Sequence, residues 1–287
     1  MSRFRDRLPE NVDGDFYVDL SCIDCDLCRQ LAPAVFTRSD AKGQSYVHAQ
    51  PANPHRALMA LVTCPTSSIG MTHKLDSKDA ARALPEPLAP EIDDVYFCGW
   101  ASPNSYGAAS WLIRRPDGNV LVDSPRFAST LADRLAELGG VRWMFLTHRD
   151  DVADHRAFAK RFGCERVLHR ADIIRDTHDV ERVIDGDTML ADDLKILSVP
   201  GHSRGSCVLI YRDTFAFTGD HVWANRDERH LGAGRDVSWF SWPEQQRSMV
   251  KLADHAFTWI LPGHGRRYRA ASSEAMRAEL LRLAAAM

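Results

Sequence analysis

At 287 residues, with 45% hydrophobic and 26% charged side chains, the chain has the composition of a folded globular protein and room for about two domains. Lys and Arg number 36 against 39 Asp and Glu, a net charge of -3, so no general positive field gathers nucleic acid or anionic lipid. No run of about 18 apolar residues occurs and the charged start lacks an apolar segment behind it; neither a membrane span nor a signal peptide is expected, and the expected location is the cytoplasm.

Seven cysteines are an odd number for a disulfide framework, and four of them have the spacing of ligands. Cys22, Cys25 and Cys28 form C-x2-C-x2-C, and a remote Cys64 is followed directly by Pro65. Three thiolates on one tight loop reach three corners of an iron–sulfur cube, and a distant one closes the fourth. A structural zinc knot is the alternative, although zinc sites usually pair C-x2-C with a second close pair. In two-cluster bacterial ferredoxins the run continues to a fourth cysteine, where this chain has Ala32. Residues 21–36 and 63–70 thus resemble a single-cluster 4Fe-4S ferredoxin. The resemblance implies one cluster on Cys22, Cys25, Cys28 and Cys64, within an α+β ferredoxin-like domain over residues 1–75. Cys98, Cys164 and Cys207 read as buried small hydrophobes.

Residues 76–92 lose any alternating apolar pattern and contain Pro85, Pro87 and Pro90, which predicts a linker ahead of a larger domain over 93–287. Apolar runs at 110–114 and 119–122 flank Pro116, Asp117 and Gly118, the pattern of a hairpin. Leu131, Leu135 and Leu138 recur at helical spacing over 130–138, with Thr130 and Asp133 as a capping pair and Gly139 as the stop. A strand over 141–146 is followed by a helix over 151–162 that places Phe158 and Phe162 on one face. Residues 166–169, 194–199, 207–211 and 214–218 read as further strands. A helix over 243–256, a strand over 257–261 and a terminal helix over 273–286 complete the chain.

Several of these strands end in metal-ligand residue types. Asp123 follows 120–122; His148, Asp150, Asp154 and His155 follow 144–146; His202, Asp220 and His264 each follow a later strand. A single histidine in such a loop is usually solvated or structural, so the ordered set carries the argument. It resembles the metallo-β-lactamase fold superfamily from about residue 95 to the C-terminus. The resemblance implies an αββα sandwich of two mixed sheets with helices outside and metals at one sheet edge. Its signatures match at Asp123, at 147–155, at Gly201-His202, at Gly219-Asp220 and at Gly263-His264, with Asp220 implied as the bridging carboxylate.

The second signature departs from the usual H-x-H-x-D-H. From His148 forward, Asp150 stands where the second histidine belongs; from Asp154-His155 backward, two residues have been inserted. Asp150 is a replacement ligand on the first alignment, whereas Asp151 reads as a helix N-cap with Asp154 at N3. The implied metal ligands are His148, Asp150, Asp154, His155, His202, Asp220 and His264, and the implied catalytic residues are Asp154, Asp220 and His221. His221 either orients its neighbour or begins the next loop. Imidazole and carboxylate without thiolate suit one or two ions of zinc, iron or manganese.

The resulting expectation is a metal-dependent hydrolase that attacks a small-molecule substrate with metal-activated water, and carries an accessory 4Fe-4S cluster. Trp223, Trp239, Phe240 and Trp242 offer an aromatic wall, or core; Arg266 and Arg267 offer an anion site, or solvated charges. A di-iron oxidoreductase is the alternative. Flavodiiron proteins of the same superfamily replace one signature histidine by a carboxylate, and the fused ferredoxin-like domain, fed by a redox partner protein, would supply electrons. A third reading is an electron carrier with a non-catalytic metal-binding sandwich.

Overall fold

The strand Phe16–Val18 pairs antiparallel with Ile69–Met71, with Val18 opposite Ile69. This ribbon draws the stretch ahead of Cys22 beside the stretch behind Cys64, which closes the gap between them in sequence. A second hairpin joins Phe36–Ser39 to Gln44–Val47. The helix His55–Thr63 turns Leu58, Met59 and Val62 inward. The computed structural model describes residues 2–287 and divides them into two units, the first running to Arg142 and including Ala153–Gly163.

Residues 76–92 are structured. They hold the helix Lys78–Arg82 and a short strand, Glu86–Pro87, which pairs with Val95–Phe97 at a sheet edge where a proline costs no ladder bond. Ala80, Leu84 and Leu88 are buried there, which proline content alone did not announce. Val95–Phe97, Trp111–Ile113 and Val120–Val122 continue as an antiparallel meander whose last two strands are the expected hairpin. The helix Ser129–Glu137 buries Leu131 and Leu135 as its periodicity predicts, but it starts after an extended Ala128 and not on a Thr130–Asp133 cap.

The second unit comprises Trp143–Val152 and Cys164–Met287. Trp143–Phe145, Glu165–His169 and Arg182–Ile184 are parallel neighbours. A six-stranded sheet runs in the order Thr188–Ala191, Leu194–Ser198, Cys207–Tyr211, Phe215–Gly219, Trp259–Pro262 and Tyr268–Arg269. Its pairings are antiparallel except between Phe215–Gly219 and Trp259–Pro262. A parallel pair needs a crossover, and the helix Trp242–Leu252 lies within it. That helix and Ser273–Ala286 bury Met249, Leu252, Met276 and Leu280 against Leu197 and Ile260 of the sheet. No helix among the described residues is long and apolar enough to cross a membrane.

Candidate metal and cluster sites

The cysteine loop turns tightly because Asp24 and Asp26 adopt left-handed angles, φ 59° and 68°, a region Asp enters more readily than most residues. Buried Arg29 spans the turn, 2.8 Å from Asp24 and hydrogen-bonded to Asp26. Cys22, Cys25, Cys28 and Cys64 line one pocket with Val18, Leu27 and Ile69. The backbone N–H groups of Ser45 and Ser68 donate to the sulfurs of Cys22 at 3.4 Å and Cys64 at 3.3 Å. Burial pushes the Cys28 thiol up to about 12 and Cys25 well above the usual thiol range, so ionisation there requires a cationic core to bind. Thiols converging on one apolar pocket, with amides aimed at two sulfurs, fit a thiolate-held cluster. The other cysteines, Cys98, Cys164 and Cys207, are buried.

In the second unit, parallel pairing of Phe215–Gly219 with Trp259–Pro262 delivers Asp220 and His264 to the same sheet edge. His264 Nδ1 lies 2.8 and 2.9 Å from the two Asp220 oxygens. Gly263 permits this approach, since a Cβ there would stand 2.6 Å from Asp151 Oδ2. The loop carrying His148 is stitched to the same edge by the Cys207 N–H, which donates to the Thr147 carbonyl at 2.8 Å. His202 arrives on the connection between Leu194–Ser198 and Cys207–Tyr211. Its Nδ1–H donates to the Val237 carbonyl at 2.6 Å, which turns Nε2 toward Asp150 at 3.3 Å and Asp220 at 3.8 Å.

His148 Nε2 is buried without a hydrogen-bond partner, 4.0 Å from carboxylate oxygens of Asp150 and Asp151 and 3.9 Å from Asp220. Two ligand sets share this histidine: His148, Asp150 and His202, and His148, Asp151 and Asp220, the ligand atoms in each lying within 4.8 Å of one another. Metal–ligand bonds of about 2.0–2.2 Å put neighbouring tetrahedral ligand atoms about 3.3–3.6 Å apart, so modest contraction closes either set on an ion. The donors and the bare imidazole nitrogen fit a divalent cation.

The electrostatics agree with that fit. Burial alone would raise Asp220, but His264, with His148 and His202, holds its carboxyl well below the usual range. Burial pushes His148 down to about 4, a neutral imidazole at pH 7. Burial also opposes protonation of His202, yet its hydrogen bond to Asp150 and the charge of Asp220 leave it above its ordinary value. The same hydrogen bond lowers Asp150.

Of the residues singled out in the sequence, His148, Asp150, His202, Asp220 and His264 converge. Asp154 and His155 enter neither ligand set and fall in the first unit. The helix begins at His155, later than its periodicity predicts, with Asp154 at the N-cap position and its carboxylate accepting the Phe127 N–H at 2.7 Å. Asp151, read as that cap, instead remains in the loop, 1% exposed and within a ligand set. Two consecutive acids after a strand-end histidine were the available signal. Asp123, also in the first unit, is buried at φ 57°. His221 is buried, and neither ring nitrogen makes a hydrogen bond. Trp239 is 63% exposed with its ring 6.4 Å from that of His202 and Phe240 is also exposed, whereas Trp242 donates to the Met287 carbonyl. Arg266 pairs with Glu228 at 2.6 Å.

Residues 18–71 match the family described as the 4Fe-4S single cluster domain of Ferredoxin I, and residues 95–231 match the Metallo-beta-lactamase superfamily. The hydroxyacylglutathione hydrolase of Acidiphilium cryptum is 27% identical over 132 residues, 44% of this chain and 51% of that protein. The hydroxyacylglutathione hydrolase of Rhizobium etli is 28% identical over 149 residues, 50% of this chain and 54% of that protein. The chain thus spans about half the length of these curated relatives. Among solved structures, VMB-1 at pH 5.5 superposes with a TM-score of 0.51 at 16% identity, covering 69% of this chain and 97% of that one. The B3 metallo-beta-lactamase BLEG-1 gives 0.51 at 14% identity, covering 64% and 97%. Likeness at such identity concerns the fold, and with the matched families it is decisive for that. The chain has the metallo-β-lactamase fold, with residues 95–231 similar to that superfamily and residues 18–71 similar to a single-cluster 4Fe-4S ferredoxin domain.

Proposed function

We propose that the protein hydrolyses an activated acyl group of a small-molecule substrate, at one or two divalent ions held by His148, Asp150, Asp151, His202, Asp220 and His264. The observation that carries this reading is the buried His148 Nε2, without a hydrogen bond and ringed by carboxylate oxygens at 3.9–4.0 Å. An ion bound there supplies a Lewis acid and a water ionisable near neutral pH. Asp220 lies 3.8 Å from His202, 3.9 Å from His148 and 2.8 Å from His264. The Val237 carbonyl holds the His202 ring in the orientation that frees Nε2 for a ligand bond. Trp239 stands edge-to-face with His202, its ring centroid 6.4 Å away, where it can border a bound substrate. His221, pushed down to about 3 by burial, is a neutral imidazole near pH 7. An acyl substrate is in keeping with the hydroxyacylglutathione hydrolases that the chain resembles. The 4Fe-4S cluster on Cys22, Cys25, Cys28 and Cys64 is structural or a redox sensor in this reading, since hydrolysis transfers no electrons.

A di-iron oxidoreductase is the second reading. It is favoured by the acids at 150 and 151, which make the donor set richer in oxygen and so suited to iron or manganese as well as zinc. Elemental analysis of anaerobically purified protein, spin-resonance spectra before and after dithionite, and an assay against acyl thioesters separate the two. Zinc in the second unit with thioester turnover supports hydrolysis. Two irons beyond those of the cluster, without turnover, sink it.

A further inference from the structure

Asp172 ends the short 3-10 turn Arg170–Asp172 and is fully buried. Its Oδ2 accepts the backbone N–H of Arg149 at 3.1 Å and the hydroxyl of Ser203 at 2.5 Å; its Oδ1 accepts the Gly205 N–H at 2.9 Å. Arg149 is the residue after His148, and Ser203 is the residue after His202. One carboxylate therefore ties together the two loops that carry the imidazoles of a single ligand set. Ser203 is itself fixed, its N–H donating to Ser206 Oγ at 2.9 Å. Burial of a carboxylate is unfavourable unless donors meet its charge. Here every donor to the carboxylate comes from a loop bearing a candidate ligand.

We infer that Asp172 is a positioning residue for the metal site, setting the separation of His148 and His202 without touching ion or substrate. The inference rests on the reading of those histidines as ligands. The geometry leaves little tolerance: Asp offers acceptor oxygens to donors on both loops, whereas Asn of the same shape turns an NH2 group toward backbone N–H donors on at least one of them. Groups that orient ligands from behind typically contribute about 10–100-fold to metal affinity.

The test is equilibrium dialysis of the full chain, cluster intact, against Zn2+, with zinc counted by elemental analysis and the cluster followed by its visible absorption. Asp172→Asn is expected to lose about 10–100-fold in zinc affinity, with cluster absorption unchanged. Ser203→Ala, which removes one donor and leaves two, is expected to lose less. Thr177→Val is the control for general loosening, because the Thr177 hydroxyl donates at 3.0 Å to the Asp172 backbone carbonyl and not to its carboxylate. Wild-type affinity in both Asp172→Asn and Ser203→Ala overturns the inference while leaving the metal site standing. An equal loss in Thr177→Val also overturns it, since the effect would not belong to the carboxylate. If the unaltered protein takes up no zinc, or Asp220→Ala takes up as much as the unaltered protein, the reading of the site fails and the inference falls with it. Should Asp172→Asn fail to fold, Ser203→Ala against Thr177→Val decides the matter alone.

Discussion

Asp220 and His264 leave adjacent parallel strands, and their side chains meet with His264 Nδ1 2.8 Å from Asp220 Oδ1. Asp220 also lies 3.9 Å from His148 and 3.8 Å from His202, so it faces all three imidazoles. Asp220→Ala is expected to lower zinc affinity in the second unit by more than the about 10–100-fold of an orienting residue. The cluster's visible absorption should persist, because the ligand sets share no residue. Joint loss of both signals would contradict two independent sites.

Cys64→Ser should do the reverse, abolishing the cluster absorption and sparing zinc uptake. A subtler change tests the packing around the sulfurs. Gly107 has φ +82°, and a Cβ there would lie 2.7 Å from Cys25 Cβ and 3.0 Å from Pro65 Cγ. Gly107→Ala combines that clash with a left-handed backbone, at a cost of about 1–3 kcal/mol. Faster cluster loss under air than in the unaltered chain is the expected result, measured by bleaching of the visible band.

Proton linkage should be readable in the metal-free second unit. His148 at about 4 and His221 at about 3 lie below the about 6.5 of an unfolded imidazole, burial being the leading cause for each. The unfolded chain then binds more protons between these values, so stability from these groups is complete above about 6.5 and declines as pH falls toward 4. His202, raised, acts in the opposite sense: its contribution is present below about 6.5 and lost as pH rises through the folded value. His221→Leu isolates one group. The fall of the urea midpoint between pH 6.5 and pH 4.5 should be shallower in this variant, and equal slopes would show that His221 does not titrate as described.

Trp239 is 63% exposed, so Trp239→Ala should change stability by less than about 0.5 kcal/mol. If its ring borders the substrate beside His202, KM for an acyl thioester rises several-fold with kcat little changed, the pattern of lost uniform binding. Unaltered KM would place the substrate elsewhere.

Much of the architecture was legible from local pattern. The hairpin around Pro116, Asp117 and Gly118, the leucine-spaced helix Ser129–Glu137 and the terminal helix Ser273–Ala286 formed where turn chemistry and periodicity placed them. The strand Arg182–Ile184, which pairs in parallel with Glu165–His169, had too few residues to show a period. The order within 76–92 was hidden for a related reason: its helix of five residues and its strand of two are too short to show a period.

The spacing of Cys22, Cys25, Cys28 and Cys64, and the succession of histidines and aspartates at strand ends, were written in the chain itself, because ligand chemistry depends on residue type and on short-range geometry. Which acid after His148 lies beside both it and Asp220 was not. That choice turned on where the helix starts: with His155 as its first residue, Asp154 is committed to the Phe127 amide and Asp151 stays in the loop with His148 and Asp220. A shift of three residues along a polar stretch scarcely alters local propensity, so only the packing of remote strands and loops could decide it.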